Sequence, residues 1–400
     1  MESYFIDWAN LIIRLLHLVT GIAWIGASFY FIWLDNSLQN PPQWKQDKGI
    51  KGDLWAIHGG GIYEVSKYRL QPEQIPTTLH WFKWEAYATW LSGMALLVLI
   101  YYLGAEAYLI DPSVAQLSQI QAIAIGLAFI GGSWVAYALL CASPLAKNGY
   151  FVAVILALGG TSVAFALSHL FSGRGAYIHF GAIIGTLMVG NVFWVIIPSQ
   201  KALVDAIERG VTPEPHMAQK AKLHSTHNTY LTVPLLFIMI SGHFPMTYAH
   251  SENWLILIAI VLITALARHF FILRHHSRNV PQILVLVVFL TLCLAALLAP
   301  RSATTALATN TSVSPLAGQA VHVLQQRCSS CHSANPTDDV FTVAPGGVIL
   351  DTEEEMRRWA QRIKARSVDT VDMPFMNKTQ MTQQERDIIS QWIADGMPTE

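Results

Sequence analysis

Residues 150–171 read YFVAVILALGGTSVAFALSHLF, with no Asp, Glu, Lys or Arg among them. A helix of about 20 such residues crosses a bilayer core about 30 Å thick. This stretch decides the fold class because the chain repeats it. Similar runs cover about 8–34, 80–103, 120–141, 175–197, 228–242, 253–273 and 280–300, the sixth being short and holding Pro234. The expectation is an all-α protein: an eight-helix transmembrane bundle over residues 1–300, with the first span acting as an uncleaved signal anchor.

Composition agrees. Only 13% of the 400 residues are charged and 53% are hydrophobic, whereas a soluble domain carries about 25% charged residues. Mean hydropathy is +0.38. The net charge of −1 offers no basic field for nucleic acid. With the N-terminus outside, the loops meant to be cytoplasmic hold twelve Lys and Arg, and the outer ones hold Arg174 alone. That asymmetry predicts a bacterial inner-membrane protein with both its N-terminus and its C-terminal region in the periplasm.

After Pro300 the run RSATTALATNTSVSPLAGQ is small, polar and aperiodic. It reads as a flexible linker over 301–318, followed by a small domain over 319–400. Near that domain's start stands RCSSCHSANP, residues 327–336. Cys-x-x-Cys-His is the attachment pattern of a c-type haem. Cys328 and Cys331 would bond to the porphyrin edge, and His332 would ligate the iron. Cys141 and Cys293 lie in apolar runs and read as core packing. Helices are expected over Ala320–Gln326, Thr352–Arg366 and Thr382–Asp395. Thr352 with Glu355 and Thr382 with Glu385 form capping boxes, and Gly396 closes the last helix.

The run MPFMNKTQMTQQERDIISQWIADG, residues 373–396, is similar to the end of small class I cytochromes c, where Met-Pro supplies a thioether ligand. That resemblance gives the role to Met373, with Met376 as the runner-up and Met381 as a further methionine in the same loop. One covalent haem c is expected, held at the iron by His332 and Met373.

Ionisable residues within apolar spans are costly and mark candidate functional positions. Arg14, His17, Gly21, Trp24 and Ser28 form one helical stripe in the first span. His80, Lys83, Trp84 and Tyr87 share a face at the start of the second, with Glu85 beside it. His169 and His179 lie near the outer face, and His227 and His269 toward the cytoplasm. His17, His169, His179 and His269 are candidate ligands of a second, b-type haem in the membrane. Gly59–Gly61 lacks the Lys-Ser/Thr of a phosphate loop and reads as a tight turn.

The stretches RLLHLVTGIAWIGASFYFIWLDNSL (14–38), KGDLWAIHGGGIYEVSKYRL (51–70) and LHWFKWEAYATWLSGM (79–94), with the cytochrome-like tail, resemble the membrane-bound, cytochrome c-linked urate oxidases, or urate hydroxylases. The first span, with His17, Trp24 and Gly26, is also similar to the first helix of membrane haem proteins of the protoporphyrinogen oxidase type. The urate oxidase resemblance implies oxidation of urate to 5-hydroxyisourate with water as the oxygen source. Electrons would pass to the chain's own c-haem, then to a soluble cytochrome c or a terminal oxidase.

A flat purine anion wants a cation, an aromatic face and a base. His80, Lys83 and Glu85 are the candidate catalytic residues. Trp84, Tyr87, His58 and Glu64 are the candidate substrate contacts, with Tyr63 nearby, all on the cytoplasmic side. Arg14 with His17, and Arg174 with His169 and His179, offer part of such a set on the outer side. A cytoplasmic site would need a relay across the apolar core, such as the b-type haem; an outer site would not. A quinol-linked electron carrier and a transporter with a regulatory cytochrome domain are the alternative functions.

Overall fold

The computed structural model describes residues 2–69, 72, 75–111, 114–275, 278–299, 315–338, 341, 344–369, 371 and 373–398. It is mostly helical. α1 spans Glu2–Ser37. α2 spans Trp84–Leu96 and runs on through a π-helical turn, Leu97–Tyr102. α3 is Gln119–Ala142 and α4 is Gly149–Ser168. α5 is Gly173–Gly190, prolonged by a second π-helical turn, Asn191–Ile196, and by Ile197–Glu208. α6 is Pro215–Ser241, α7 is Asn253–His275 and α8 is Gln282–Leu297.

Among the described residues five segments are long and apolar enough to cross a membrane: Trp8–Ser37, Gln119–Ala142, Gly149–Ser168, Gly173–Glu208 and Asn253–Arg274. Gln282–Leu297 is apolar but shorter. α5 is the central element. Of its most apolar window 61% is buried, against 6% for α1. α3, α4, α6 and the N-terminal part of α2 pack around it, while α1 lies along α2 and α8 along α7. The outward faces of α1 and α8 carry exposed Leu11, Leu15, Val19, Val288, Phe289 and Leu292. Such rows suit a lipid-facing surface, since a water-facing helix would present polar residues there.

Three expectations need correcting. First, the chain is not purely helical. β1, Ile50–His58, pairs antiparallel with β2, Gly61–Tyr68, with Trp55 opposite Glu64 and His58 opposite Gly61. Gly59 and Gly60 make the two-residue turn at φ +56° and +81°. Positive φ at both central positions is the hairpin turn that matches strand twist, and glycine adopts it without a Cβ clash. The tight turn was therefore legible, and the strands it joins were not.

Second, the sixth helix begins at Pro215, well before the apolar run, and it passes through Pro234. Proline suits a first turn because it lacks an N–H that would be unsatisfied there anyway. Third, α2 begins at Trp84, so His80 and Lys83 precede it and share no helical face with Tyr87. An edge-on contact of His80 with Phe82 (4.5 Å), and of Phe82 with Phe31 of α1 (4.8 Å), holds this entry segment.

The C-terminal region is built on α9, Pro315–Arg327; α10, Glu353–Arg358; α11, Ala360–Ile363; and α12, Gln383–Ala394. α9 is already under way at Pro315, within the stretch read as linker. Residues 301–314 of that stretch lie outside the described residues. Both capping boxes form. The Glu355 N–H donates to the Thr352 hydroxyl (3.3 Å) while the Glu355 carboxylate accepts from the Thr352 N–H (2.9 Å), and Thr382 with Glu385 repeats the pattern. Gly396 follows α12 at φ +80°. Leu324, Cys328, Met356, Met381, Ile389 and Trp392 make the core of this region.

This region docks on one end of the helical bundle. Arg358 donates to both carboxylate oxygens of Asp111, Nε to Oδ1 at 3.1 Å and Nη2 to Oδ2 at 2.7 Å. Gly347 sits against Ala249 so closely that a Cβ there would fall 2.4 Å from the alanine Cβ.

Candidate functional site

The Cys-x-x-Cys-His stretch continues α9 into a tight turn. The N–H groups of Cys331 and His332 both donate to the Cys328 carbonyl, at 3.2 and 2.8 Å. Cys328 is buried and Cys331 partly so. Burial, then the neighbouring Cys331, pushes the Cys328 thiol up to about 12. His332 Nδ1 donates to the Val348 carbonyl at 3.0 Å, which leaves Nε2 available. Burial holds this imidazole below its ordinary pKa, and the nearby Arg362 charge adds to that. A neutral imidazole oriented through a backbone carbonyl is the usual state of a metal-ligating histidine. This donor set fits a covalently attached haem.

In the methionine loop, Met373 N–H donates to the Arg366 carbonyl (2.9 Å) and the Met373 carbonyl accepts from Arg386 (2.7 Å). Arg386 also donates to the Ser367 carbonyl. Met381, by contrast, is committed to the core beside Cys328. The side chain of Met376 lies outside the described residues.

The set expected on the cytoplasmic side divides in two. Lys83 Nζ lies 5.9 Å from the Trp84 ring, Trp84 makes an edge contact with Tyr87 at 5.8 Å, and His80 Nε2 stands 3.8 Å from Glu85 Oε1. Glu85 Oε2 is buried with no hydrogen-bond partner among the described residues. The hairpin residues belong elsewhere. Lys45, which sequence reasoning missed, takes both Asp53 and Glu64. Lys67 pairs with Asp35 at the end of α1 (2.6 Å). Glu64 is therefore engaged, while His58 and Tyr63 sit at the hairpin tip and flank.

The four candidate membrane-haem histidines occupy four neighbourhoods. His17 Nδ1 meets the Thr89 carbonyl (2.9 Å) and the Ser92 hydroxyl (3.1 Å). His169 caps α4 with Nδ1 on the Phe165 carbonyl (2.8 Å). His269 Nδ1 meets the Tyr230 hydroxyl (2.7 Å), and His227 similarly meets that of Tyr137 (2.8 Å). His179 is wholly buried. Its Nδ1 donates to the Gly175 carbonyl (2.9 Å) and its Nε2 faces the Tyr102 hydroxyl (3.3 Å). A Cβ on Gly126 would lie 2.5 Å from that Nε2. The Gly126 backbone thus packs directly against this imidazole.

A further group gathers where the C-terminal region meets the bundle: Tyr101, Tyr108, Arg174, Arg358, Arg362 and Asp111. Of these, only Arg174 was noticed in the sequence. Tyr101 and Tyr102 lie in the π-helical turn of α2, whose irregular hydrogen bonding re-aims side chains. Arg174 Nε donates to the Tyr101 hydroxyl at 2.9 Å. An arginine in the first turn of a buried helix was the signal available for the rest.

A family model described as urate oxidase N-terminal matches residues 3–299. No curated protein and no solved structure matches the chain.

Proposed function

We propose, because this chain belongs to the urate oxidase N-terminal family, that it is a membrane-bound oxidoreductase converting urate to 5-hydroxyisourate and releasing the electrons through a c-type haem. The observation that carries this reading is the pairing, in one chain, of that family match with the Cys328–Cys331–His332 turn, whose imidazole keeps Nε2 available. Five helices able to cross a bilayer support a membrane setting. The Lys and Arg asymmetry supports a bacterial inner membrane with the C-terminal domain in the periplasm.

In this reading the urate monoanion and one water give 5-hydroxyisourate, one proton and two electrons. Cys328 and Cys331 would hold the haem, with His332 and Met373 as axial ligands. When bound, that group accepts electrons one at a time and hands them to a soluble cytochrome c or a terminal oxidase. The Val348 carbonyl keeps the His332 ring in one orientation. Arg386 ties Ser367 to Met373 and so fixes the loop that carries the thioether.

The test is to add urate, without oxygen, to the oxidised full-length protein in detergent and to follow the absorbance of reduced haem together with 5-hydroxyisourate. Stoichiometric reduction by urate is expected. Reduction by a quinol but not by urate would replace this reading with that of a quinol-linked electron carrier.

A further inference from the structure

Two guanidinium groups from distant parts of the chain meet over one aromatic ring. Arg174, in the first turn of α5, has its Cζ 5.6 Å from the centroid of Tyr108 and 5.8 Å from that of Tyr101. Arg362, from α11, lies 5.8 Å from the same Tyr108 ring and 5.5 Å from Trp359. The charge of Arg174 reaches Arg362, and the Tyr248 hydroxyl feels both. The charge of Arg14 reaches Tyr101 as well. Among the described residues no carboxylate stands within ion-pair distance of Arg14, Arg174 or Arg362, and the nearby Asp111 is taken by Arg358.

Cations gathered in a part-buried place without a counter-ion repel one another and lose hydration. A bound anion offsets both costs. The groups gathered here suit a flat anion: the aromatic rings of Tyr108 and Trp359, the hydroxyls of Tyr101 and Tyr248, and two planar guanidinium forks. The same cluster adjoins the Cys-x-x-Cys-His turn. Arg362 Nη1 donates to the Gly346 carbonyl at 3.4 Å, and His332 donates to the carbonyl of Val348, two residues on.

We propose that Arg174 and Arg362, both within 6 Å of the Tyr108 ring centroid where the C-terminal region meets the bundle, are the counter-ions of the purine anion. The inference rests on the urate oxidase reading above and gives that reaction its substrate seat. It puts the electron donor beside the domain that carries His332, so no carrier across the apolar core is needed. It also replaces the cytoplasmic seat expected around Lys83.

Equilibrium dialysis of labelled urate against the full-length protein, with its haem held reduced so that nothing turns over, tests this. Wild type binds. Arg174→Gln and Arg362→Gln each weaken binding by about 10- to 100-fold, the range for a hydrogen bond to a charged group. Arg174→Lys and Arg362→Lys, which keep the charge but lose the fork, fall between. Lys147→Gln, at an exposed position in a distant turn, binds as wild type does. Equal thermal midpoints in detergent across the set establish that each variant is folded. Arg variants with the wild-type midpoint and wild-type urate affinity overturn the proposal. So does the finding that they keep urate but lose binding of phosphatidylglycerol in nanodiscs, which would make the cluster a lipid headgroup seat. Wild type that neither binds urate nor is reduced by it removes the parent reading instead.

Discussion

Arg358 holds Asp111 through two parallel N–H···O bonds, at 3.1 and 2.7 Å, and so clamps the C-terminal region to the bundle. Asp111 is nearly inaccessible, with 7% of its side chain exposed. Truncating one partner of a buried, hydrogen-bonded charge pair costs about 2–5 kcal/mol. Arg358→Ala is therefore expected to loosen docking without unfolding either part. Hydrogen exchange should quicken at residues 105–111 and 344–348 in the variant. Unchanged protection in both segments would show that the ion pair does not hold the junction.

Glu385 gives a pH dependence. Its partial burial disfavours the charged form, but the Thr382 N–H and the Arg327 guanidinium outweigh it, so its carboxyl sits below the ordinary value. A depressed folded pKa contributes stability that is present above the unfolded value, about 4.3, and lost as pH falls through the folded one. The thermal midpoint of the full-length protein should drop in that acid window, and Glu385→Gln should flatten the drop. An identical acid slope in the variant would count against this assignment.

Gly126 tests the closure around His179. A Cβ there would meet His179 Nε2 at 2.5 Å and the Tyr102 hydroxyl at 3.1 Å, while the imidazole is tied back by the Gly175 carbonyl. Gly126→Ala is expected to cost about 1–3 kcal/mol through overpacking. Gly131→Ala, on the same helix with nothing within 4 Å, should be neutral or stabilising by up to about 1 kcal/mol, the helix preference for alanine. Thermal unfolding in detergent separates the two; equal midpoints would mean that the site yields.

Axial ligation can be read from two substitutions. His332→Ala should abolish the native haem spectrum. Met373→Ala should keep the covalently held porphyrin and lower its reduction potential, since a methionine ligand raises it. A redox titration of the Met373 variant that matches wild type would transfer the role to another residue of the loop.

The parts of the fold that were legible share one property: their signals are local. Thr352 with Glu355, and Thr382 with Glu385, are three residues apart and cap as expected. The apolar helices follow from composition over about 20 residues. The hairpin was hidden because Lys51, Asp53 and Glu64 made its strands read as a charged loop, while the pairing that defines them is between strands. Lys83 was placed on a helix because periodicity does not reveal where the first turn starts. The Arg174–Arg362 junction had Arg174 alone as a local signal, since its two halves lie in different parts of the chain and meet only on docking.

The Gly346–Val348 loop ties these observations together. It accepts from Arg362 at one carbonyl and from His332 at another. A guest that draws on Arg362 therefore pulls on the segment that sets the imidazole's basicity. With an iron held at His332 and the proposed anion at Arg362, thermodynamic reciprocity would make the oxidation state alter the affinity for that guest as much as the guest alters the midpoint potential. Product discharge and electron exit would then be two readings of a single free-energy cycle.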